Sequence, residues 1–203
     1  MTDDEDRVAA RKAQIFEAAA AVFARQGYHN ARMDDVVKAA GLSKGGLYWY
    51  FKSKEELATG LVHQMLAHEA DAIQAVMDSE TPAADRLQHL VRAFAGDLTK
   101  NPDRGPLALE LLALARTIPD IRTCFDSHHE QFVDHIATLL AQTTNSGACD
   151  TDTHAAALAF ASVIDGMVLR WTLARSPFDL ESALWEATQV LLRGMTASQS
   201  RTE

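Results

Sequence analysis

The chain has 203 residues, of which 47% are hydrophobic and 23% are charged, the composition of a folded globular protein rather than a disordered one. Its two cysteines and eight histidines show no metal-ligand spacing, so the sequence predicts neither a disulfide framework nor a structural metal site. An acidic N-terminus and the lack of an apolar run of about 18 residues favour a cytoplasmic protein over an exported or membrane-inserted one.

The net charge of −9 is unevenly distributed along the chain. Residues 1–54 contain nine Lys and Arg against seven Asp and Glu, a charge of +2, so residues 55–203 carry −11. Six of those basic residues lie between Arg25 and Lys54, alongside two acids. Such a patch can displace counterions from a phosphate backbone, and an acidic body behind it discourages indiscriminate binding.

Helical periodicity runs through nearly every segment from Arg7 to Met195, without the sustained alternation of a half-buried strand. The sequence therefore predicts an all-α protein of about nine helices. The first helix spans about Arg7 to Gln26, and Gly27 stands where a left-handed residue would end it.

Two short helices follow, one on each side of Gly41. The segment from Met33 to Ala40 is shorter than the roughly 12 residues that an isolated helix needs in water, so it must lean on neighbours. Ser43 is placed to cap the next helix, which continues through Tyr50. Two short helices about a glycine turn predict a helix-turn-helix over about residues 33–52.

Six longer helices are predicted after this motif. Ser53 and Glu56 form a capping box that begins the first of them. Apolar periodicity and proline or glycine breaks place the others from near Thr81, over Leu107 to Arg116, from Pro119 to about Thr144, over Asp152 to Arg175, and over Leu180 to Thr196. The predicted domains are residues 1–54 and a helical domain over residues 55–203.

The segment from Gly27 to Leu57 carries the most specific pattern in the chain. It combines Gly41 at the turn, the run Leu47-Tyr48-Trp49-Tyr50-Phe51, and the step Lys52-Ser53-Lys54 into the following helix. Along its whole length this segment resembles the DNA-binding domain of the TetR family of transcriptional regulators.

Two positions depart from the family pattern. A Thr or Ser that usually caps the second helix and meets a phosphate is replaced at Ala31-Arg32, and Val37 stands where Ala is usual. Arg32 is expected to replace the hydroxyl with a charge.

The resemblance and the chemistry of the side chains together suggest which residues contact DNA. A small core against the first helix is expected from Val36, Val37, Ala40, Leu42, Leu47 and Phe51. Lys44 is expected to reach base edges, whereas Tyr48 and Lys54 are placed for phosphates. The predicted DNA-binding residues are Arg32, Ser43, Lys44, Gly45, Gly46, Tyr48, Trp49, Tyr50, Lys52 and Lys54.

The C-terminal part resembles, more loosely, the ligand-binding and dimerisation half common in this family. The resemblance implies an unknown and largely apolar small-molecule effector. Asp165 stands on an apolar helix, where its carboxylate needs a partner, so it faces a ligand or pairs with Arg170 or Arg122. The predicted lining residues are Met65, Leu66, Phe94, Leu111, Phe125, His128, Phe132, Asp165, Met167 and Trp171.

The last two predicted helices carry apolar four-three spacings typical of coiled-coil seams. They predict a homodimer whose two recognition helices lie about one turn of DNA apart. The seam residues are Phe160, Ile164, Met167 and Trp171 on one helix and Leu180, Leu184, Ala187 and Leu191 on the other.

These expectations describe a DNA-binding transcriptional regulator, a repressor that releases a palindromic operator when a small molecule binds the C-terminal domain. The alternatives are an activator and a regulator that has no small-molecule ligand and acts through protein partners. An enzyme is not expected, because the sequence carries no nucleophile–base motif, phosphate loop or paired-carboxylate signature. No cofactor and no bound metal are expected either.

Overall fold

A computed structural model of the chain describes residues 3–143, 151–174 and 178–199. Within those ranges the regular secondary structure is entirely α-helical, which confirms the predicted fold class. Residues 144–150, where the sequence predicts a polar loop at Asn145-Ser146-Gly147 after the helix that begins at Pro119, lie outside the described residues, as do residues 175–177. The helices of the described ranges are α1 (Asp3–Gln26), α2 (Met33–Ala39), α3 (Lys44–Tyr50), α4 (Lys54–Met77), α5 (Ala83–Lys100), α6 (Arg104–Leu114), α7 (Pro119–Thr143), α8 (Thr151–Leu173) and α9 (Leu180–Gln199).

The chain divides into two compact units. Unit 1 comprises Met1–Ala67 and Pro106–Phe125, and unit 2 comprises His68–Gly105 and Asp126–Glu203. The predicted boundary at residue 54 separates functions rather than compact bodies, and it stays a prediction.

Two glycines end the first two helices of unit 1, as their positions in the sequence predicted. Gly27 has φ of 76° and Gly41 has φ of 64°, in the left-handed region that side chains with a Cβ rarely adopt. Gly27 donates its N–H to the Phe23 carbonyl at 2.9 Å, which closes the last turn of α1. The chain can therefore turn sharply out of α1 and again between α2 and α3.

The core of unit 1 holds the helix-turn-helix against α1. Ile15 and Phe23 of α1 are fully or almost fully buried, and the Phe16 ring lies 5.2 Å from the Phe51 ring between centroids. The small core expected from the sequence is present, because Val36, Ala40, Leu47 and Phe51 are buried and Val37 and Leu42 pack partly buried against them. This packing fixes two helices of seven residues each, which are too short to persist alone.

Unit 2 has a core of its own, in which α9 packs on α5 and α8. The seam expected between two copies contributes to this core instead. Phe160, Leu180 and Leu184 are buried, and Ile164, Met167, Trp171 and Leu191 pack partly buried in the same cluster. Seven of the eight seam residues thus pack in or against the core of the single chain, and dimerisation through α8 and α9 stays a prediction.

A different apolar face of α8 remains exposed in the single chain. Leu158, Leu169 and Leu173 are 47%, 40% and 67% exposed, and Val190 of α9 is 64% exposed. The stretch Thr153–Leu173 has a mean hydropathy of 1.4 and is 17% buried, so by length and composition alone it could cross a membrane. Large exposed apolar faces of this kind mark interaction surfaces.

Candidate nucleic-acid interface

The N-terminal end of α3 is open to solvent and is fixed by its own cap. Ser43 accepts a hydrogen bond from the Gly46 N–H at 3.1 Å, as its position predicted. Ser43, Lys44 and Gly45 are exposed, and a Cβ added at Gly45 would meet nothing within 4 Å. The backbone at this helix end can therefore approach another molecule closely.

The aromatic run of α3 divides between the core and the surface. Leu47 and Phe51 are buried, Tyr48 and Tyr50 are half-buried, and Trp49 is 65% exposed. The Trp49 and Tyr50 rings meet edge to face, with centroids 4.6 Å apart. An indole held in this way on the surface offers a flat apolar face and an N–H donor to a partner.

Lys44 is the first residue of α3, and its side chain forms an ion pair with α2. Its Nζ is 2.9 Å from Asp34 Oδ1, and both side chains are largely exposed. The hydrogen bond to Asp34 and the charge of that carboxylate raise the pKa of Lys44, so its positive charge is secured. Any contact of Lys44 with a base edge must replace this ion pair.

Lys52 caps the C-terminal end of α3. Its Nζ donates to the Tyr48 carbonyl at 2.8 Å and to the Trp49 carbonyl at 3.2 Å, where a positive charge also suits the helix dipole.

The capping box of α4 is present in altered form. Ser53 Oγ accepts from the Glu56 N–H at 3.0 Å, while Glu56 Oε2 accepts from the Lys52 N–H at 2.6 Å.

Lys54 has partners that the sequence did not indicate. Its Nζ donates to the carbonyls of Tyr28 at 2.6 Å, Ala31 at 2.8 Å and His29 at 3.1 Å, and it lies 4.4 Å from the centre of the Tyr28 ring. Burial lowers the pKa of this ammonium group. Lys54 therefore binds the loop between α1 and α2, and its expected contact with a phosphate stays a prediction.

Glu110 of α6 binds the same loop. Its Oε1 accepts a hydrogen bond from the Tyr28 N–H at 2.6 Å and would lie 3.2 Å from a Cβ added at Gly27. The two partners are 82 residues apart in the chain, so no local pattern could reveal the contact. Side chains from α4 and α6 thus hold the loop between α1 and α2.

The departure at Ala31-Arg32 is compensated by a carboxylate. The Arg32 N–H donates to Asp35 Oδ2 at 3.0 Å, and Gln26 Nε2 donates to the same oxygen at 3.0 Å. These hydrogen bonds lower the pKa of Asp35. The Arg32 side chain is exposed at the start of α2, where it can reach a phosphate.

Family models match both parts of the chain. The model for bacterial regulatory proteins of the tetR family matches residues 15–61. The model for the C-terminal part of BetI-type transcriptional repressors matches residues 82–194, more than half of the chain. The chain belongs to the TetR family. It is a transcriptional regulator with a helix-turn-helix that binds DNA.

Relatives agree with this assignment over most of their length. The uncharacterized HTH-type transcriptional regulator YfiR of Bacillus subtilis is 32% identical over 143 residues, 68% of this chain and 67% of that protein. A regulator from Saccharomonospora viridis in complex with choline has a TM-score of 0.76 at 22% identity, covering 88% of this chain and 95% of that one. FadR from Bacillus subtilis in complex with stearoyl-CoA has a TM-score of 0.76 at 22% identity, covering 89% and 97%.

The residues expected to line an effector site of this TetR-family chain fall into two sets. Leu111 is buried in the core of unit 1, and Met65, Leu66 and Phe125 pack against that core. The other six belong to unit 2, where the first four pack against its core: Phe94, Phe132, Met167, Trp171, His128 and Asp165. The structure therefore brings six of the ten together in one compact unit.

Ionisable side chains lie among the helices of unit 2. His128 Nε2 of α7 is 3.6 Å from Glu69 Oε2 of α4, and these side chains are 16% and 37% exposed. Burial raises the pKa of Glu69, the charge of Arg104 opposes that rise, and the nearby Asp165 adds to it. Burial and the charge of His129 lower the pKa of His128. Both partners are thus biased toward their uncharged forms.

Asp165, the carboxylate that the sequence placed on an apolar helix, lies on α8. Burial raises its pKa, and the charge of His129 opposes that rise. Asp165 forms no ion pair with Arg170 within the described part of the chain. Arg122 belongs to unit 1, where it donates to the Ala115 carbonyl at 3.1 Å. The Asp165 residue is exposed on α8, so water can solvate its carboxylate, and its role in ligand binding stays a prediction.

Proposed function

We propose that this TetR-family regulator is a repressor that releases a palindromic operator when a small molecule binds unit 2. The observation that carries the proposal is the exposed N-terminal end of α3, capped by Ser43 and flanked by the charge of Lys44, on a chain matched by a repressor-type C-terminal model. A helix end of this kind is suited to the major groove.

The test begins with the operator. Duplexes bound by the full chain are selected from a random-sequence library, and the selected site is placed before a reporter gene in bacterial cells. Expression of the chain is expected to lower reporter output, and selected sites are expected to contain two inverted half-sites about one helical turn apart. A rise in output would identify an activator, and recovery of sites without symmetry would contradict the two-fold arrangement.

The proposed effector site comprises Phe94, His128, Phe132, Asp165, Met167 and Trp171 of unit 2. Its aromatic and thioether side chains would line the site with apolar surface, and its ionisable groups would fix the orientation of the ligand. Small-molecule sites commonly combine these two kinds of side chain. Glu69 joins this proposal because of its contact with His128.

The effector is proposed to carry a positively charged or hydrogen-bond-donating end in addition to its apolar part. Burial disfavours the charged forms of Glu69 and Asp165, and the charge of Arg104, which forms an ion pair with Asp97, opposes this effect only at Glu69. A cationic group beside these carboxylates would favour their ionised forms, and aromatic rings bind such a group by cation–π attraction. The choline of one structural relative is such a molecule, whereas the stearoyl-CoA of another is not.

Choline and stearoyl-CoA are therefore the first two probes. Choline is expected to raise the melting temperature of the wild-type chain and to weaken operator binding, and Glu69→Gln is expected to reduce both effects. Glu130→Gln, an exposed carboxylate on the same helix as His128, is the matched control. A response to stearoyl-CoA alone would overturn the cationic assignment, and a response to neither probe in a broader ligand panel would favour a regulator without a small-molecule ligand.

A homodimer held by α8 and α9 is part of this proposal, with the exposed apolar side chains of the two helices as its interface. The exposed side chains of Leu158, Leu169 and Leu173 on α8 and Val190 on α9 offer an apolar face that a second copy can cover. The relatives are bacterial transcriptional regulators, and a protein that must reach chromosomal DNA is proposed to be cytoplasmic.

A further inference from the structure

A groove runs between the first half of α1 and the recognition helix α3. Its volume is about 640 Å³ and it is open to solvent along one side. All of its lining residues belong to unit 1. They are Arg7, Val8, Ala10, Arg11 and Gln14 of α1 and Gly46, Trp49 and Tyr50 of α3.

The lining carries two positive charges and no carboxylate. Arg7 and Arg11 are four residues apart, so both side chains project from one face of α1, and both are exposed. Within the described residues neither arginine forms an ion pair with an acidic side chain. Asp6 and Lys12, which are also exposed on α1, do not line the groove.

A chain of hydrogen bonds ties Arg11 to the helix-turn-helix. Arg11 Nη1 donates to Gln14 Oε1 at 2.8 Å, and Gln14 Nε2 donates to the Ala40 carbonyl at 2.7 Å. Ala40 is the C-terminal cap of α2, immediately before the Gly41 turn. These two hydrogen bonds hold the guanidinium group of Arg11 in a fixed position relative to the turn that precedes α3. A surface arginine surrounded only by water would not be held in this way.

We propose that this groove binds the DNA backbone beside the base pairs read by α3, with Arg7 and Arg11 each contacting a phosphate. Guanidinium groups suit phosphate oxygens because they donate in a planar fork. Trp49 on the opposite wall is 65% exposed and can pack against the sugar edge of the same strand. The inference rests on DNA binding by the chain and extends its DNA surface from the helix-turn-helix onto α1.

The test is a salt series with the selected operator duplex and a scrambled duplex. Arg7→Ala and Arg11→Ala are each expected to reduce the magnitude of the log–log salt slope by about one per protomer, or about two per dimer, on both duplexes. Ethylation interference is expected to lose one phosphate position per half-site in each variant. Arg11→Lys is expected to keep most of the slope because the charge is retained.

Lys12→Ala is the matched control, since it removes the same charge from the same helix one residue outside the groove. It is expected to leave the interference pattern unchanged. Because the Arg7 side chain forms no hydrogen bond with the described residues, its variant separates DNA contact from any effect on folding, which a melting curve verifies. Equal slope changes in all three alanine variants, or unchanged interference in both arginine variants, would overturn the proposal. Failure of the wild-type chain to bind any duplex would instead overturn DNA binding itself.

Discussion

Lys44 forms an ion pair with Asp34 whose strength affects how readily Lys44 can contact a base. The pair spans 2.9 Å between largely exposed side chains, and exposed pairs of this kind are weak. Asp34→Asn is expected to raise operator affinity by up to roughly fivefold, because Lys44 no longer has to leave a carboxylate. Binding assays at fixed salt measure this gain.

The double-mutant cycle with Lys44→Ala isolates the cause. If Lys44 reads a base, Lys44→Ala alone should weaken operator binding by on the order of 10-fold to 100-fold and leave the scrambled duplex much less affected. In that background Asp34→Asn should lose most of its benefit. An equal gain with and without Lys44 would mean that Asp34 acts only by repelling phosphates.

Lys54 is expected to stabilise the fold rather than to neutralise a phosphate. Lys54→Ala leaves the carbonyls of Tyr28 and Ala31 without this donor, so the free energy of unfolding should fall by roughly 1–3 kcal/mol. Urea denaturation measures the change, and Lys38→Ala, which removes an exposed lysine on α2, is the control with little expected effect. The opposite pattern, full stability with a salt slope smaller by one per protomer, would restore the phosphate contact inferred from the sequence.

At the level of helices, the hydrogen bond from the Tyr28 N–H to Glu110 predicts that α6 stabilises the loop that precedes the helix-turn-helix. Glu110→Ala removes the acceptor of a partly buried N–H, which should lower the free energy of unfolding by roughly 1–3 kcal/mol. Glu110→Gln keeps an oxygen at that place and should retain most of the stability. Amide hydrogen exchange gives the local readout, because the Tyr28 amide should lose protection in the alanine variant. Unchanged exchange at Tyr28 would show that the contact does not hold the loop.

Helix limits and caps were predictable because they depend on neighbours in the sequence. Ser43, Ser53 and the turns at Gly27 and Gly41 act through residues at most four positions away. The acceptors of Lys54 lie 23 to 26 residues away, and the Glu110 contact spans 82, distances at which periodicity carries no information. The sequence alone therefore suggested a phosphate for Lys54 and gave no sign of its carbonyl partners, and the phosphate contact stays a prediction.

The dimer seam illustrates a second limit of periodicity. An apolar stripe reveals which side of a helix is buried but not which neighbour buries it. The stripe through Phe160 and Leu184 packs inside unit 2, and the face through Leu169 and Leu173 remains exposed. Two apolar faces on one helix can be told apart only when the packing of its own chain is known.

For the molecule as a whole, the exposed face of α8 and α9 predicts how two copies assemble. Leu169→Glu and Val190→Glu place charges on the face that is expected to be covered in the dimer, where an unpaired carboxylate is costly. Either variant should be monomeric at micromolar concentration by light scattering. Two linked DNA-binding domains bind far better than one, so affinity for a two-half-site operator should fall by roughly tenfold or more. Affinity for a single half-site should hardly change.

Leu112→Glu provides the matched control for those two variants. Leu112 of α6 is 48% exposed, comparable to Leu169 at 40%, but it lies in unit 1 rather than on the α8 and α9 face. This variant should remain dimeric and keep its operator affinity. A dimer that survives both Leu169→Glu and Val190→Glu would place the interface elsewhere. Sedimentation of the wild-type chain with phospholipid vesicles, lost in Leu169→Glu, would mean that the apolar face of α8 meets lipid rather than a second copy, since both partners would cover the same side chains.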